Sequence, residues 1–409
     1  MLKTILIIIV FIVNLYANIL QDAIDSAPDG SILKLPNGVY KGSIHIDKAL
    51  SIIGQGKHVV IDGENNGTVI KIESSYVTLK NLTIINSGDR HENLDAAISM
   101  KKIKMSKLKQ CEVSNCTIKN CLFGIDMQMV DNSIIQNNYI TSKDVDLGLR
   151  GDGLRLWYSN NNIVKKNSLV NSRDMVVWYS HGNTIEKNFG THGRYSLHFM
   201  YAGKNYVKNN TYEYNSVGIF FMYSQDAIAI GNTIKSSLGA TGMGIGLKDS
   251  SNFILKENVV IYCARGMYID RSPFEPGSHN TINKNKILYN SEGIHFHSLS
   301  VGNIITDNTI MGNIEDIVND SKRDRILANK ILGNYWDNYK GFDKNKDGIG
   351  DTPHKVYLYA DQLWLFNKDV KFFYGSPVIS LLNFLAKLAP FSKPLFLMED
   401  KKPRIAKAI

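Results

Sequence analysis

KNNTYEYNSVGIFFMYSQDAIAIGNTI, residues 208–234, contains one full period of a pattern that runs through most of the chain. Asn210 and Asn232 mark its ends, and GIFFMYS between them alternates apolar with variable positions, as a half-buried strand does. Outward from this stretch the same short form returns as NNYI (137–140), KNSL (166–169), ENVV (257–260), KNKI (284–287) and DNTI (307–310). The resulting column is Asn138, Asn167, Asn188, Asn210, Asn232, Asn258, Asn285 and Asn308, at intervals of 21 to 29 residues. NLTI (81–84) and NCTI (115–118) read as variant copies, and NKIL (329–332) as a late one.

A second strand follows each copy at a similar offset: GLRLWYS, MVVWYS, SLHFMYA, GIFFMYS, GIGLKDS, GMYIDRS and GIHFHSLS. No stretch of the repeat has the length and period of an amphipathic helix. Short strands repeating every 20 to 30 residues between Asn, Gly and Asp turns predict an all-β fold, a right-handed parallel β-helix solenoid of about ten coils. The asparagines have two physical uses there. Their amides can hydrogen-bond up and down a ladder of about 4.8 Å spacing, and asparagine tolerates the left-handed turn conformation.

A solenoid exposes its core at both ends and needs caps. ILQDAIDSAPDG (19–30) reads as a short amphipathic helix, the N-terminal helical cap. The solenoid is expected over residues 18–332, and a C-terminal loop-plus-helix extension over 333–409. Residues 1–17 have the form of a signal peptide: Lys3, an apolar run to Val13, and Ala17 before the cleavage point. A short membrane anchor is the alternative, although the run is shorter than the roughly 20 apolar residues of a span. Export to a periplasm follows from the first reading.

Hydrophobic content of 44% and charged content of 21% are ordinary for a folded soluble protein. The net charge of +9 is spread along the chain. A nucleic-acid site would gather its lysines among stacking aromatics, so no nucleic-acid partner is expected. Cys111, Cys116 and Cys121 are spaced by fives, which places neighbours on opposite strand faces and fits no standard zinc pattern. Those three and Cys263 read as buried thiols, with one disulfide in an oxidising compartment as the second reading and metal ligation as the third.

After the last repeat comes NYWDNYKGFDKNKDGIGD (334–351). Asp343, Asn345 and Asp347 take positions 1, 3 and 5 of a calcium-type loop, with Gly348 at 6, the Ile349 carbonyl at 7 and Asp351 at 9. Position 12 is His354, so the bidentate glutamate of an EF-hand is missing. The loop is a candidate for calcium or magnesium. The other reading is an Asx-turn loop whose carboxylates accept backbone N–H groups.

The asparagine-rich repeat, GNYWDNYKGFDKNKDGIGDTPHKVY and the tail SPVISLLNFLAKLAPFSKPLFLMEDKKPRI together resemble the NosD family over essentially the whole chain. The resemblance implies a periplasmic accessory protein for maturation of nitrous oxide reductase, active in assembly of its copper–sulfide centre. It implies as partners an ABC-type membrane subunit with its ATPase, a copper chaperone and the reductase, membrane association through the transporter, and no catalysis by this subunit. Asn338 and Asn345 stand where acidic residues are common in the family, a departure that weakens the loop's case for a metal.

Copper has support in the residues themselves. Positions two apart on a strand share a face, and equivalent positions of adjacent coils stack. One outward column then runs Trp157, Trp178, Met200, Met222, Lys248, Asp270, His297; its neighbour runs Arg155, Val176, His198, Phe220, Gly246, Tyr268, His295. His198, Met200 and Met222 offer imidazole and thioether, a set suited to Cu(I); His295 and His297 with Asp270 suit Cu(II) or zinc. Packing or partner contact is the plainer role for such residues. Trp157, Tyr158, Trp178 and Tyr179 read as a protein-docking surface. So do Leu381, Leu382, Phe384 and Leu385 of the apolar tail, against the plainer reading of a helix packed on the solenoid's open end.

A carbohydrate-active β-helix enzyme, a polysaccharide lyase or epimerase, is the rival, since fold alone does not fix function. Its acid–base candidates are Asp126, Arg155, Lys248, Asp249, Asp270 and Arg271.

Overall fold

The computed structural model describes residues 6–7, 18–102, 106–320, 328–359, 363, 367–373, 376–389 and 394–405. The chain is all-β, a parallel β-solenoid of about 13 turns among those residues, folded as two compact units, Met1–Gly242 and Met243–Ile409. Of the leader expected over residues 1–17, only Leu6–Ile7 is described, a two-residue strand parallel to Ile32–Leu33. The remainder of that segment, with Ala17, lies outside the described residues.

Each coil carries three short strands, one more than the repeat suggests. In the first unit a typical coil is Ile163–Lys165, Ser168–Val170 and Asp174–Trp178, which pair in parallel with Thr184–Glu186, Phe189–Thr191 and Tyr195–Met200 of the next. The overlooked strand is only three residues long and buries a single central side chain, such as Val164 or Ile185. Three residues are too few to display an alternation. Coils ahead of the asparagine column, from Ser31 on, account for the rest of the excess over ten.

At the corner between the first two strands lies the ladder. Asn138 Nδ2 donates to Asn167 Oδ1, and the relay passes through Asn188 and Asn210 to Asn232, each step 2.9–3.1 Å. Each Oδ1 also accepts the backbone N–H of the preceding asparagine, and each Nδ2 donates to a carbonyl one coil back. These amides are nearly fully buried, and a buried polar group is stable only when paired. The left-handed conformation belongs to the residue before each rung, namely Asn137, Lys166, Lys187, Asn209 and Gly231. Hydrogen bonding alone therefore selects asparagine at the rungs.

A second ladder stands at another corner, through Asn162, Asn183 and Asn205. In the second unit the main ladder runs Asn258, Asn285, Asn308, Asn334. Asn329, placed in that column by the repeat, belongs instead with Asn280 and Asn303. Asn81 and Asn115 also fall outside the column; they form an exposed pair at 3.3 Å, and Cys116 holds the rung, its N–H donating to Asn138 Oδ1. All four cysteines are buried. Burial pushes the Cys116 and Cys121 thiols up to about 12.

Helix α1, Ile19–Ser26, caps the first coils as expected. Asn18 accepts from Gln21 N, and Leu20 and Ile24 are buried. Gln21 bonds both backbone groups of His45 on the open edge of strand Ile44–Ile46. At the other end strand Tyr335–Trp336 extends the solenoid past residue 332, pairing with Thr309–Met311. Strands His354–Leu358 and Leu395–Asp400 form an antiparallel hairpin-like pair. Asp400, wholly buried, accepts from Gly333 N, Asn334 N, Asn334 Nδ2 and Trp336 Nε1 at 2.9–3.1 Å.

Replacing Asn188 by alanine removes its four bonds and strands the Asn167 N–H in the interior, where an unpaired donor costs about 1–3 kcal/mol. We expect Asn188→Ala to lower the unfolding free energy by about 2–4 kcal/mol in chemical denaturation. Lys119→Ala, at an exposed strand end, should change it by no more than about 0.5 kcal/mol. Equal effects would show that the amide relay adds nothing beyond the strands.

Candidate functional site

The third strand of each coil presents its outward side chains as columns, in the register read from the sequence. In the first unit Gln128, Trp157, Trp178, Met200 and Met222 are successive partners, and Asp126, Arg155, Val176, His198 and Phe220 form the adjoining column. Side chains two apart on one strand sit about 7 Å from each other, so His198 and Met200 do not meet along their strand. The diagonal does: His198 Nε2 lies 3.2 Å from Met222 Sδ on the next coil. Met200 is the direct register partner of Met222.

His198 sits in an aromatic cradle. Tyr195 stacks on its ring at 4.7 Å, Trp178 meets it edge-on at 5.7 Å, and Phe220 is tilted at 6.3 Å. The imidazole is 8% exposed and its Nδ1 has no hydrogen-bond partner among the described residues. Burial pushes its pKa down to about 4, against the pull of Asp174. That carboxylate is itself held by Arg194 and by Tyr195 N. The ring is therefore neutral at ordinary pH and offers a lone pair. A first-row ion bonds such nitrogen and sulfur at about 2.0–2.3 Å, so the 3.2 Å separation lets one ion reach both atoms. A neutral imidazole with thioethers is a soft set suited to Cu(I).

In the second unit the column is Lys248, Asp270, His297. Asp270 does not join the histidines; its Oδ2 faces Lys248 Nζ at 3.7 Å. The carboxylate that joins them is Asp320, which follows strand Glu315–Asn319. Its Oδ2 lies 3.1 Å from His295 Nε2 and 2.7 Å from His297 Nδ1. Phe296 pairs with Asn319, so Asp320 continues the His297 column. The coil reads IEDIVND, without the glycine-led apolar form that marks its predecessors; counting on by register would have found it. Burial works against charge on His295, but bonds to Asp320 and Glu292 outweigh it and raise its pKa. Asp320 is likewise lowered to about 2, the two histidine bonds overcoming its burial.

The loop at 343–351 closes on its own backbone. Asp343 accepts from Asp347 N and Gly348 N, Asp347 Oδ1 from Ile349 N, and Asp351 from Lys344 N. Asn345 donates to Asp347 Oδ2. This is the Asx-turn arrangement. Among the described residues, the His295–His297–Asp320 group is the one in which three metal-ligating side chains approach within 4.8 Å, and the loop's aspartates form no such set. The loop ties onto the tail through Gly350 N to Pro403 O and Ile405 N to Gly348 O.

Two surfaces carry exposed apolar side chains. Tyr158, Tyr179, Tyr201 and Tyr223 form a continuous stack at 4.8, 5.1 and 4.9 Å, rings within 12° of parallel. Trp157 leans on this stack under the Arg155 guanidinium. The sequence reading found the first two tyrosines and missed the others, which repeat at the same turn. Helix α2, Pro377–Leu388, is N-capped by Ser376 and buries only Ile379. Leu381, Leu382, Phe384 and Leu385 are exposed, as are Val378 and Leu388. Among the described residues nothing packs down the helix's apolar side, and no helix is long and apolar enough to cross a membrane.

The acid–base candidates are neutralised in pairs. Asp126 accepts from Arg155 at 3.1 Å and from Gln128 at 2.7 Å, Asp249 is held by Arg271, and Asp270 faces Lys248. A cavity of about 300 Å³ elsewhere on the first unit is lined by Lys71, Glu73, Arg90, Asp95 and Lys101, with Arg90 and Asp95 again paired at 3.2 Å.

Comparison with known proteins bears on both readings. A family 28 exopolygalacturonase from Yersinia enterocolitica superposes with a TM-score of 0.56, over 76% of this chain and 74% of that one, at 12% identity. At that identity the likeness is one of fold. Residues 56–188 match a right-handed β-helix region. A probable ABC transporter binding protein NosD from Stutzerimonas stutzeri is 33% identical over 115 residues, 28% of this chain and 26% of that one. Its namesake from Pseudomonas aeruginosa is 31% identical over 134 residues, 31% of each chain. The matched stretches thus span under a third of either relative's length. Residues 137–341, half of the chain and inclusive of both histidine sites, match the family described as periplasmic copper-binding protein (NosD), and the chain belongs to that family.

Proposed function

We propose that this chain is an exported copper-handling accessory protein in the maturation of nitrous oxide reductase, and that His198, Met222 and Met200 receive Cu(I) as cargo. The observation that carries this reading is the 3.2 Å approach of His198 Nε2 to Met222 Sδ inside an aromatic cradle. Tyr195 and Trp178 fix the ring plane, burial keeps the imidazole unprotonated, and the thioethers supply soft donors that need no deprotonation. Two or three such ligands at a partly exposed wall hold a cuprous ion loosely enough to pass it on. A copper chaperone supplies it and the reductase receives it, with docking on the neighbouring Tyr158–Tyr223 stack.

The exposed helix α2 suits contact with the membrane subunit of an ABC-type transporter. Six large apolar side chains on one twelve-residue helix make a patch that a free soluble surface does not favour. A polysaccharide-cleaving role has less support, because a glycosidase needs two available carboxyls roughly 5–9.5 Å apart, and the candidates on this wall are ion-paired.

Anaerobic Cu(I) titration against a competing chelator should show at least a roughly tenfold loss of affinity, about 1.4 kcal/mol, in the His198→Ala/Met200→Ala/Met222→Ala variant. Superimposable curves would remove these residues as ligands. A Leu381→Asp/Phe384→Asp/Leu385→Asp variant is expected to lose co-purification with the transporter's membrane subunit while keeping the wild-type Cu(I) curve. Full reductase activity in a strain lacking this protein would overturn the maturation role.

A further inference from the structure

His295, His297 and Asp320 form a constellation distinct in chemistry from the thioether site. We propose that it binds a divalent N/O-preferring ion of the zinc class, which clasps two consecutive coils of the second unit. His295 and His297 come from strand Glu292–His297, and Asp320 from the end of the next coil's strand. His295 Nε2, His297 Nδ1 and an Asp320 oxygen all lie within 4.8 Å of one another. Two imidazoles and a carboxylate, with no sulfur, favour Zn(II) over Cu(I).

The surroundings are those of a prepared ligand set. Glu292 Oε2 accepts from His295 Nδ1 at 2.6 Å, which leaves Nε2 as the ligand nitrogen. A carboxylate behind a ligating histidine fixes its tautomer and raises its basicity. Glu292 is in turn steadied by Arg265 Nε at 3.4 Å. Tyr268 stacks on His297 at 5.8 Å and leans on His295 at 5.3 Å, holding the two rings side by side. Lys248 takes up Asp270, the nearest competing carboxylate of the column. His297 and Asp320 are about 40% exposed, so an ion and a completing water have access.

The test uses the full mature chain with zinc chloride as probe. Calorimetric titration should give one Zn(II) bound per chain, and thermal unfolding should shift upward with added Zn(II). Asp320→Asn and His297→Gln should each weaken binding at least about tenfold and abolish the shift, while the Cu(I) curve of the His198 site is unchanged. Co(II) in place of zinc should give ligand-field bands in the wild type that both variants lose. The proposal is overturned by Zn(II) binding no tighter than Mg(II), or by variants that bind and shift as the wild type does. If one variant misfolds by circular dichroism without metal, the other variant and the Co(II) bands decide. Loss of Cu(I) binding with Zn(II) binding intact would count against the copper reading alone.

Discussion

A side-chain amide that gives one proton forward and accepts two, once per coil, is the interaction on which this structure depends. A coil of some 22 residues has three corners at which the chain turns inward, and each corner would leave buried N–H and C=O groups unpaired. Asparagine meets that need because it is a short side chain with both functions in one plane. Asn188 takes the Asn167 N–H and amide on one side and gives to Val164 O and Asn210 on the other. With the corners satisfied, the strands between them can be as short as three residues, and the strand residues of one coil are held in register with those of the next.

That locking produces the chemistry of the outer wall. Side chains along one strand stand too far apart to share a ligand, whereas neighbours across coils approach within one hydrogen bond. His198 reaches Met222 across coils and not Met200 beside it, and Asp320 reaches His297 from the following coil. The tyrosine stack has the same origin, since a residue repeated at one turn of successive coils has its ring set at nearly the coil spacing. Sequence-distant residues thus become neighbours on the wall of each unit, soft donors in the first and harder ones in the second.

The fold was legible because its rule is written once per coil. The asparagine column and the alternation of GIFFMYS-like segments sufficed for the class and the register of the wall, and the amphipathic stretch at 19–30 for the N-terminal cap. What escaped has physical causes. Strands such as Ile163–Lys165 bury one side chain and leave no periodic trace. Asn329 and Asn334 are both ladder rungs, and only spatial partners tell their corners apart. Asp320 lies beyond a degenerate coil. At the loop, alternate oxygens at 343, 345 and 347 are compatible with an ion or with Asx turns, and here the carboxylates accept backbone N–H groups. Of the proposed copper set, the histidine–thioether diagonal came together, whereas Asp270 was drawn away by Lys248.

The relay also has a direction, for from rung to rung each amide donates to the next one toward the C-terminus. A stack ending on one more asparagine would present an unspent donor at its face, an invitation for another molecule's coil to add on and for fibres to grow. Asp400 stands there instead, brought back by the tail from 66 residues downstream of Asn334. A carboxylate can receive from the last rung and has nothing to hand on. It is a full stop in the hydrogen-bond grammar, and it makes a potentially endless architecture finite.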